Sequence, residues 1–154
     1  MVNEFDDAVT VADQLRVFQE YKCTSGVVIK QMKNPFNEKD ALAFKNNKLV
    51  SIIECKRRTR IFPSWILEVK KVMHWWNNYR DLDFVYLNRF TFGDYYLLVN
   101  KLGLEEHIKN DTLKTLDGSN GITYRLGSRT DRNRYTDYDR DWLMIDQNLF
   151  KKIK

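Results

Sequence analysis

The chain has 154 residues, 43% of them hydrophobic and 14% aromatic, which is enough apolar surface to build one core in a single domain spanning residues 1–154. Its formal net charge of +5 fits a polyanionic partner. The two cysteines, Cys23 and Cys55, have no paired spacing, and this excludes a disulfide framework and a cysteine-rich zinc site.

In chain order, the acidic start MVNEFDDAVT lacks the apolar stretch of a signal peptide. Ala8, Val11, Ala12, Leu15 and Phe18 recur at helical spacing and predict a helix over Asp6–Tyr21, closed by Thr24, Ser25 and Gly26. Val27–Met32 reads as a short strand, and Asn34, Pro35 and Asn37 break the chain after it. Asp40–Phe44 and Leu49–Lys56 read as two strands of a hairpin around KNNK. The second strand is almost wholly apolar until Glu54, as in a strand covered on both faces.

Pro63 and Ser64 open a second helix, with Ser64 as its cap and Ile66, Val69, Val72, Met73 and Trp76 as its stripe. Phe84–Phe90 and Tyr95–Val99 form a second hairpin around Gly93. A polar, partly helical stretch runs to Gly121. Ile122–Leu126 and Trp142–Ile145 are strands, separated by the charged GSRTDRNRYTDYDRD, which reads as a surface loop. Asn148–Lys154 reads as a last short helix. No apolar run approaches the ~18 residues of a membrane span. Helix, strands, helix and strands in one unit make an α/β or α+β chain.

Residues two apart in a strand share a face, so Glu54 and Lys56 are neighbours at the end of the second hairpin strand. Asp40 precedes Glu54 by an even number of positions. A three-residue-type turn, with Asn47 in the left-handed conformation, sets Asp40 and Glu54 on one face. A two-residue loop at Asn46-Asn47 sets them on opposite faces. Two carboxylates and a lysine at a strand end suit Mg²⁺ or Mn²⁺, and the main-chain carbonyl of Cys55 is a further oxygen donor. A cation held there polarises a phosphoryl oxygen and activates water. Lysine orients that water or offsets the charge that builds on phosphorus.

The pattern D-x13-E-x-K at Asp40, Glu54 and Lys56 resembles the PD-(D/E)XK nuclease superfamily. The wider wording, DALAFKNNKLVSIIECKRR followed by IFPSWILEVKKVMHWW, is similar to small nuclease-like proteins of bacteriophages. The specific residues run from Asp40 to Arg58. The resemblance implies an α/β fold, a central mixed β-sheet flanked by helices like the restriction-endonuclease-like core. It implies a Mg²⁺-dependent nuclease acting on DNA, an endonuclease of phage-type replication, recombination or junction resolution. Asp40, Glu54 and Lys56 would be catalytic. Asp40, Glu54 and the Cys55 carbonyl would hold the metal. Arg57, Arg58 and Lys70 would contact nucleic acid. Such nucleases often act as homodimers. The resemblance implies no organic cofactor and no membrane, and a place in the cytoplasm of the infected bacterial host.

Lys39 stands in place of the proline of the family motif, which many members lack, and the family's first-helix acid has Asp7 and Asp13 as its candidates. The alternative function is a non-cleaving nucleic-acid-binding module on a nuclease fold. A third is an interaction protein whose basic surface is incidental.

Each motif also has a plainer reading. E-x-K fits a solvated strand end, KRRTR a solvated charge run, and Lys70 and Lys71 snorkelling surface lysines. In the charged loop Arg125, Arg129, Arg132 and Arg134 are nearly balanced by Asp131, Asp137, Asp139 and Asp141. Trp75 and Trp76 read as core and rim of the second helix, His74 and His107 as structural or solvent-facing, and both cysteines as buried thiols.

Overall fold

A computed structural model describes residues 12–20, 26–32, 41–57, 64–90, 93–127 and 141–153. Helix α1 covers residues 12–20. It is followed by β1 (Val27–Gln31), β2 (Ala41–Lys45), β3 (Lys48–Arg57), β4 (Ser64–Glu68) and α2 (Val69–Tyr79). Next come β5 (Asp83–Phe90), β6 (Gly93–Leu98), α3 (Glu105–Lys109), β7 (Ile122–Arg125), β8 (Trp142–Asp146) and β9 (Lys151–Ile153). The chain divides into two compact units. The first is Met1–Ile61, Asp81–Val99 and Lys151–Lys154; the second is Phe62–Arg80 and Asn100–Phe150.

The first unit carries a six-stranded sheet in the order β1-β2-β3-β5-β6-β9. Its neighbours are antiparallel except for β3 and β5, which run parallel, so the sheet is mixed. The α/β class with a mixed sheet agrees with the sequence reading. Ala41, Ala43, Ile53, Cys55, Val85, Leu87 and Ile153 line one face and pack with Leu15 and Phe18 of α1. These strand residues alternate along their strands, the period-two pattern that gives a sheet its apolar face.

The β2–β3 turn corrects the three-residue expectation. Lys45 pairs with Lys48, and Asn46 and Asn47 both have positive φ, 53° and 65°. A two-residue turn with both φ values positive matches the twist of the flanking strands, and asparagine tolerates that region. The pairing of the two strands also carries an irregularity. The register shifts between Ala43 and Phe44, so that Ser51 pairs with Ala43 while Leu49 pairs with Phe44. The extra residue in β3 is Val50, which packs against the core. This β-bulge reverses the parity that the turn alone would set. Asn47→Val puts a β-branched residue in the left-handed region. It is expected to destabilise the protein by about 1–2 kcal/mol, read as a lower urea midpoint, whereas Asn47→Gly should leave the midpoint unchanged or raise it.

The second unit carries the antiparallel sheet β4-β8-β7. Ser64–Glu68 is a strand here, so Ser64 is no helix cap and the helix begins later than its sequence suggests. Trp65 and Leu67 are buried while Ile66 and Glu68 are half-buried, which is strand alternation. Pairing of Trp65 with Ile145 and Leu67 with Leu143 overrides the local helical pattern. The buried residues of α2 are Val69, Val72 and Trp75, which replaces the stripe through Ile66, Met73 and Trp76. Trp75 and Trp76 are core and rim as expected, with Arg80 4.8 Å above the Trp76 ring.

Two further expectations are corrected. Asn148–Lys154 is not a helix: Gln147–Leu149 is a 3-10 turn, and Lys151–Ile153 is a strand paired with β6. Ile153 is buried while Lys151 and Lys152 are exposed, and pairing with β6 decides the conformation. Asp141 is not part of a solvated loop, because it is 0% exposed. Its carboxylate accepts hydrogen bonds from the Tyr124 hydroxyl and, at 2.8 Å, from the Gly127 amide. Its carbonyl accepts from the Val69 amide at 3.0 Å. That bond serves the first turn of α2, where Glu68 makes no side-chain cap. Arg125 is not in the loop either, because it ends β7 and pairs with Trp142. Residues 128–140, with Arg129, Arg132, Arg134 and the other aspartates of the loop, lie outside the described residues, as do Asp6, Asp7 and Cys23.

Candidate functional site

Ligands of open α/β sheets gather at the carboxyl ends of parallel strands. In this sheet that location is the end of β3 and β5, where Glu54 pairs with Tyr86 and Lys56 with Asn88. Ile53 and Cys55 pack toward α1, so Glu54 and Lys56 project from the opposite face. Glu54 is 4% exposed, Tyr86 and Asn88 are 0% exposed, and Lys56 is half-buried. A carboxylate withdrawn this far from water costs free energy unless it is paired, hydrogen-bonded or bound to a cation. The Cys55 side chain belongs to the core, so any contribution it makes to the other face comes from its main chain.

The remaining candidates are placed as follows. Asp40 and Arg58 lie outside the described residues. Arg57 ends β3 and is level with Arg89 of β5. Lys70 lies in the first turn of α2, its Nζ 3.8 Å from Oε2 of Glu68. Among the described residues, no group of three or more His, Cys, Asp or Glu side chains is gathered to hold a metal. Glu54 supplies one hard oxygen donor of the type that Mg²⁺ prefers. In donor type the site fits such an ion, with Asp40 as the candidate second carboxylate.

The first-helix acid has a different partner. Nη1 of Arg89 donates to Asp13 at 2.5 Å, while its Nε and Nη2 donate to the two carboxylate oxygens of Asp94 at 2.7 and 2.8 Å. Arg16 donates to Asp13 at 2.7 Å and to Glu20 at 3.1 Å. Arg89 follows Asn88 in β5 and so faces α1. Asp13 therefore belongs to an ion-pair network on the face away from Glu54. The hydrogen bond from Arg16 and then that from Arg89 hold the Asp13 carboxyl below the usual aspartate range. Asp94 chiefly raises the pKa of Arg89.

A depressed folded-state pKa gives stability that is present above the ordinary aspartate value and fades as pH falls through the folded value. Asp13 is 41% exposed, so solvent screens the network and holds the effect to about 0.2–1 kcal/mol. Asp13→Asn should lower the urea midpoint at neutral pH, and the difference from wild type should shrink below about pH 3.8.

The sequence reading missed Asn88 and Tyr86. Their signal was present as polar residues at alternate positions of FVYLNRF, in line with Phe84. Among the described residues, no helix is long and apolar enough to cross a membrane. No family model matches the chain, and no curated protein matches it.

Proposed function

We propose that the protein is a metal-dependent nuclease that hydrolyses phosphodiester bonds in DNA, on a restriction-endonuclease-like core. The observation that supports this reading most is a buried glutamate and a lysine on one face at the carboxyl end of a parallel strand pair. Ala41 is level with Ile53, the residue before Glu54, and Asp40 is the candidate second carboxylate. Asp40, Glu54 and the Cys55 carbonyl would then hold Mg²⁺ or Mn²⁺. When bound, the ion supplies Lewis acidity toward a phosphoryl oxygen. Lys56 holds the attacking water or a non-bridging oxygen by hydrogen bonding and offsets the charge that accumulates on phosphorus. Water oxygen bonds to phosphorus, the bond to the leaving oxygen breaks, the attacking water gives a proton to solvent, and the leaving oxygen takes one from solvent to become a hydroxyl.

Arg57, Arg58 and Lys70 as phosphate contacts, a homodimer acting on two strands, and cytoplasmic phage-type DNA processing belong to the same reading. The test is cleavage of linear duplex, single strand, flap and four-way junction in Mg²⁺, Mn²⁺ or chelator. Cutting of at least one substrate that chelator stops supports the proposal. Tight, salt-sensitive binding without cutting would replace it with a non-cleaving nucleic-acid-binding module. That second reading is favoured by Asp13, the described candidate for the first-helix acid, being engaged by Arg16 and Arg89 on the other face of the sheet.

A further inference from the structure

The pairing register carries Lys56 to the far edge of the sheet. Lys56 is level with Asn88, Asn88 with Tyr95, and Tyr95 with Lys152 of β9. Directly paired residues project to one face, so these four side chains form a row across four strands. At roughly 4.8 Å per strand the row is about 14 Å long, with a lysine at each end. Ile153, the next residue, is buried on the α1 face, which fixes Lys152 on the face of Glu54. Among the described strand residues of that face, Glu54 is the acid, while Asp13 and Asp94 are engaged by Arg89 on the other.

Edge lysines commonly guard a sheet against strand addition, and Lys151 serves that purpose equally well. Lys152 is distinguished by its course. A Cβ built on Gly93 would lie 3.0 Å from Cε of Lys152, 3.8 Å from its Nζ and 4.0 Å from the Tyr95 ring. The lysine therefore lies along β6 over a residue without a side chain.

We infer that Lys152, with Tyr95, extends the Glu54–Lys56 site into a track for the phosphates of a nucleic-acid strand, with the fully buried Asn88 as part of its floor. The identity of the ligand rests on the nuclease reading; the track itself rests on the register. Phosphate contacts position a strand without reading its sequence. Lys152 is thus a binding residue, not a catalytic one.

The test is fluorescence polarisation of a short fluorescein-labelled DNA single strand in chelator over a range of NaCl, with wild type, Lys152→Gln and Lys151→Gln. Lys151 offers the same charge on the same strand but the opposite face. Lys152→Gln should raise Kd by about 3–10-fold and reduce the slope of log K against log salt by about 0.7, whereas Lys151→Gln should stay within about twofold of wild type. In cleavage, Lys152→Gln should raise KM and leave kcat unchanged. Equal losses in the two variants, or none in Lys152→Gln, would overturn the track even if Lys56→Ala abolishes cutting, and the nuclease reading would stand. Lys152-dependent binding without any cutting would keep the track and remove the nuclease reading. No binding by wild type removes the track and leaves the nuclease reading to the cleavage panel.

Discussion

Glu54→Gln is expected to leave the protein folded and to lower the rate of phosphodiester cleavage by at least about 10³-fold. Glutamine keeps the volume and most of the polar character of the buried side chain, so Ile52, Phe84 and Tyr86 retain their packing. What disappears is the negative charge that would hold a divalent cation at the end of β3. Lys56→Ala removes a preorganised donor and is expected to cost about 10²–10³-fold in kcat, roughly 2.7–4 kcal/mol, with a smaller change in KM. Single-turnover cleavage across a Mg²⁺ titration separates the two, because the glutamate variant alone should shift the metal dependence. Circular dichroism checks that both variants are folded. Wild-type rates in Glu54→Gln would refute the assignment of the site.

The largest stability effect is expected at Asp141. This residue receives the Tyr124 hydroxyl and the Gly127 amide on one fully buried carboxylate, and its carbonyl receives the first amide of α2. The carboxylate joins the chain at 127 to the chain at 141 across the intervening segment. Hydrogen bonds to a charged group contribute about 1.5–3 kcal/mol each, and a partner left unsatisfied adds its own penalty. Asp141→Ala should therefore destabilise the protein by about 3–5 kcal/mol, or roughly 6–20 °C in Tm for a chain of this size. Tyr124→Phe removes one of the two bonds and should cost about a third to a half as much. The double variant should cost less than the sum of the singles. A Tm shift under about 2 °C in Asp141→Ala would show that the carboxylate does not secure this junction.

Features set by neighbouring residues were legible in the sequence. Short apolar runs bounded by turn residues marked β1, β2, β3, β5 and β6, and the Asn-Asn pair marked the first hairpin. The spacing of Glu54 and Lys56 was enough to place both on one face. What escaped depends on partners distant in sequence. Whether SWILE is a helix turn or a strand is decided by residues 142–146, and KKI becomes a strand because β6 offers it an edge. Asp13 lies off the apolar stripe of α1, and its partner Arg89 is 76 residues away. Asp141 resembles the aspartates that precede it, and Tyr124 and the Gly127 amide are what distinguish it. The bulge at Val50 leaves no local signature, because inserting one residue in an apolar run preserves the composition that marks a strand.

The late position of β9 has a kinetic consequence. About fifty residues separate Leu98 from Lys151, yet the two strands they belong to are neighbours. Closing a loop of that length costs roughly 3.5 kcal/mol of chain entropy before the edge pairing returns any of it. The parallel β3·β5 pair likewise waits for the crossover that carries β4 and α2. Contacts this far apart in sequence place folding toward the millisecond-to-second regime. Protection of amides along β6 should consequently develop in two stages during refolding, first with β5 and later with β9. Lys152 would reach its place beside Tyr95 only in the second, so capacity to grip a phosphate chain would lag behind the appearance of secondary structure.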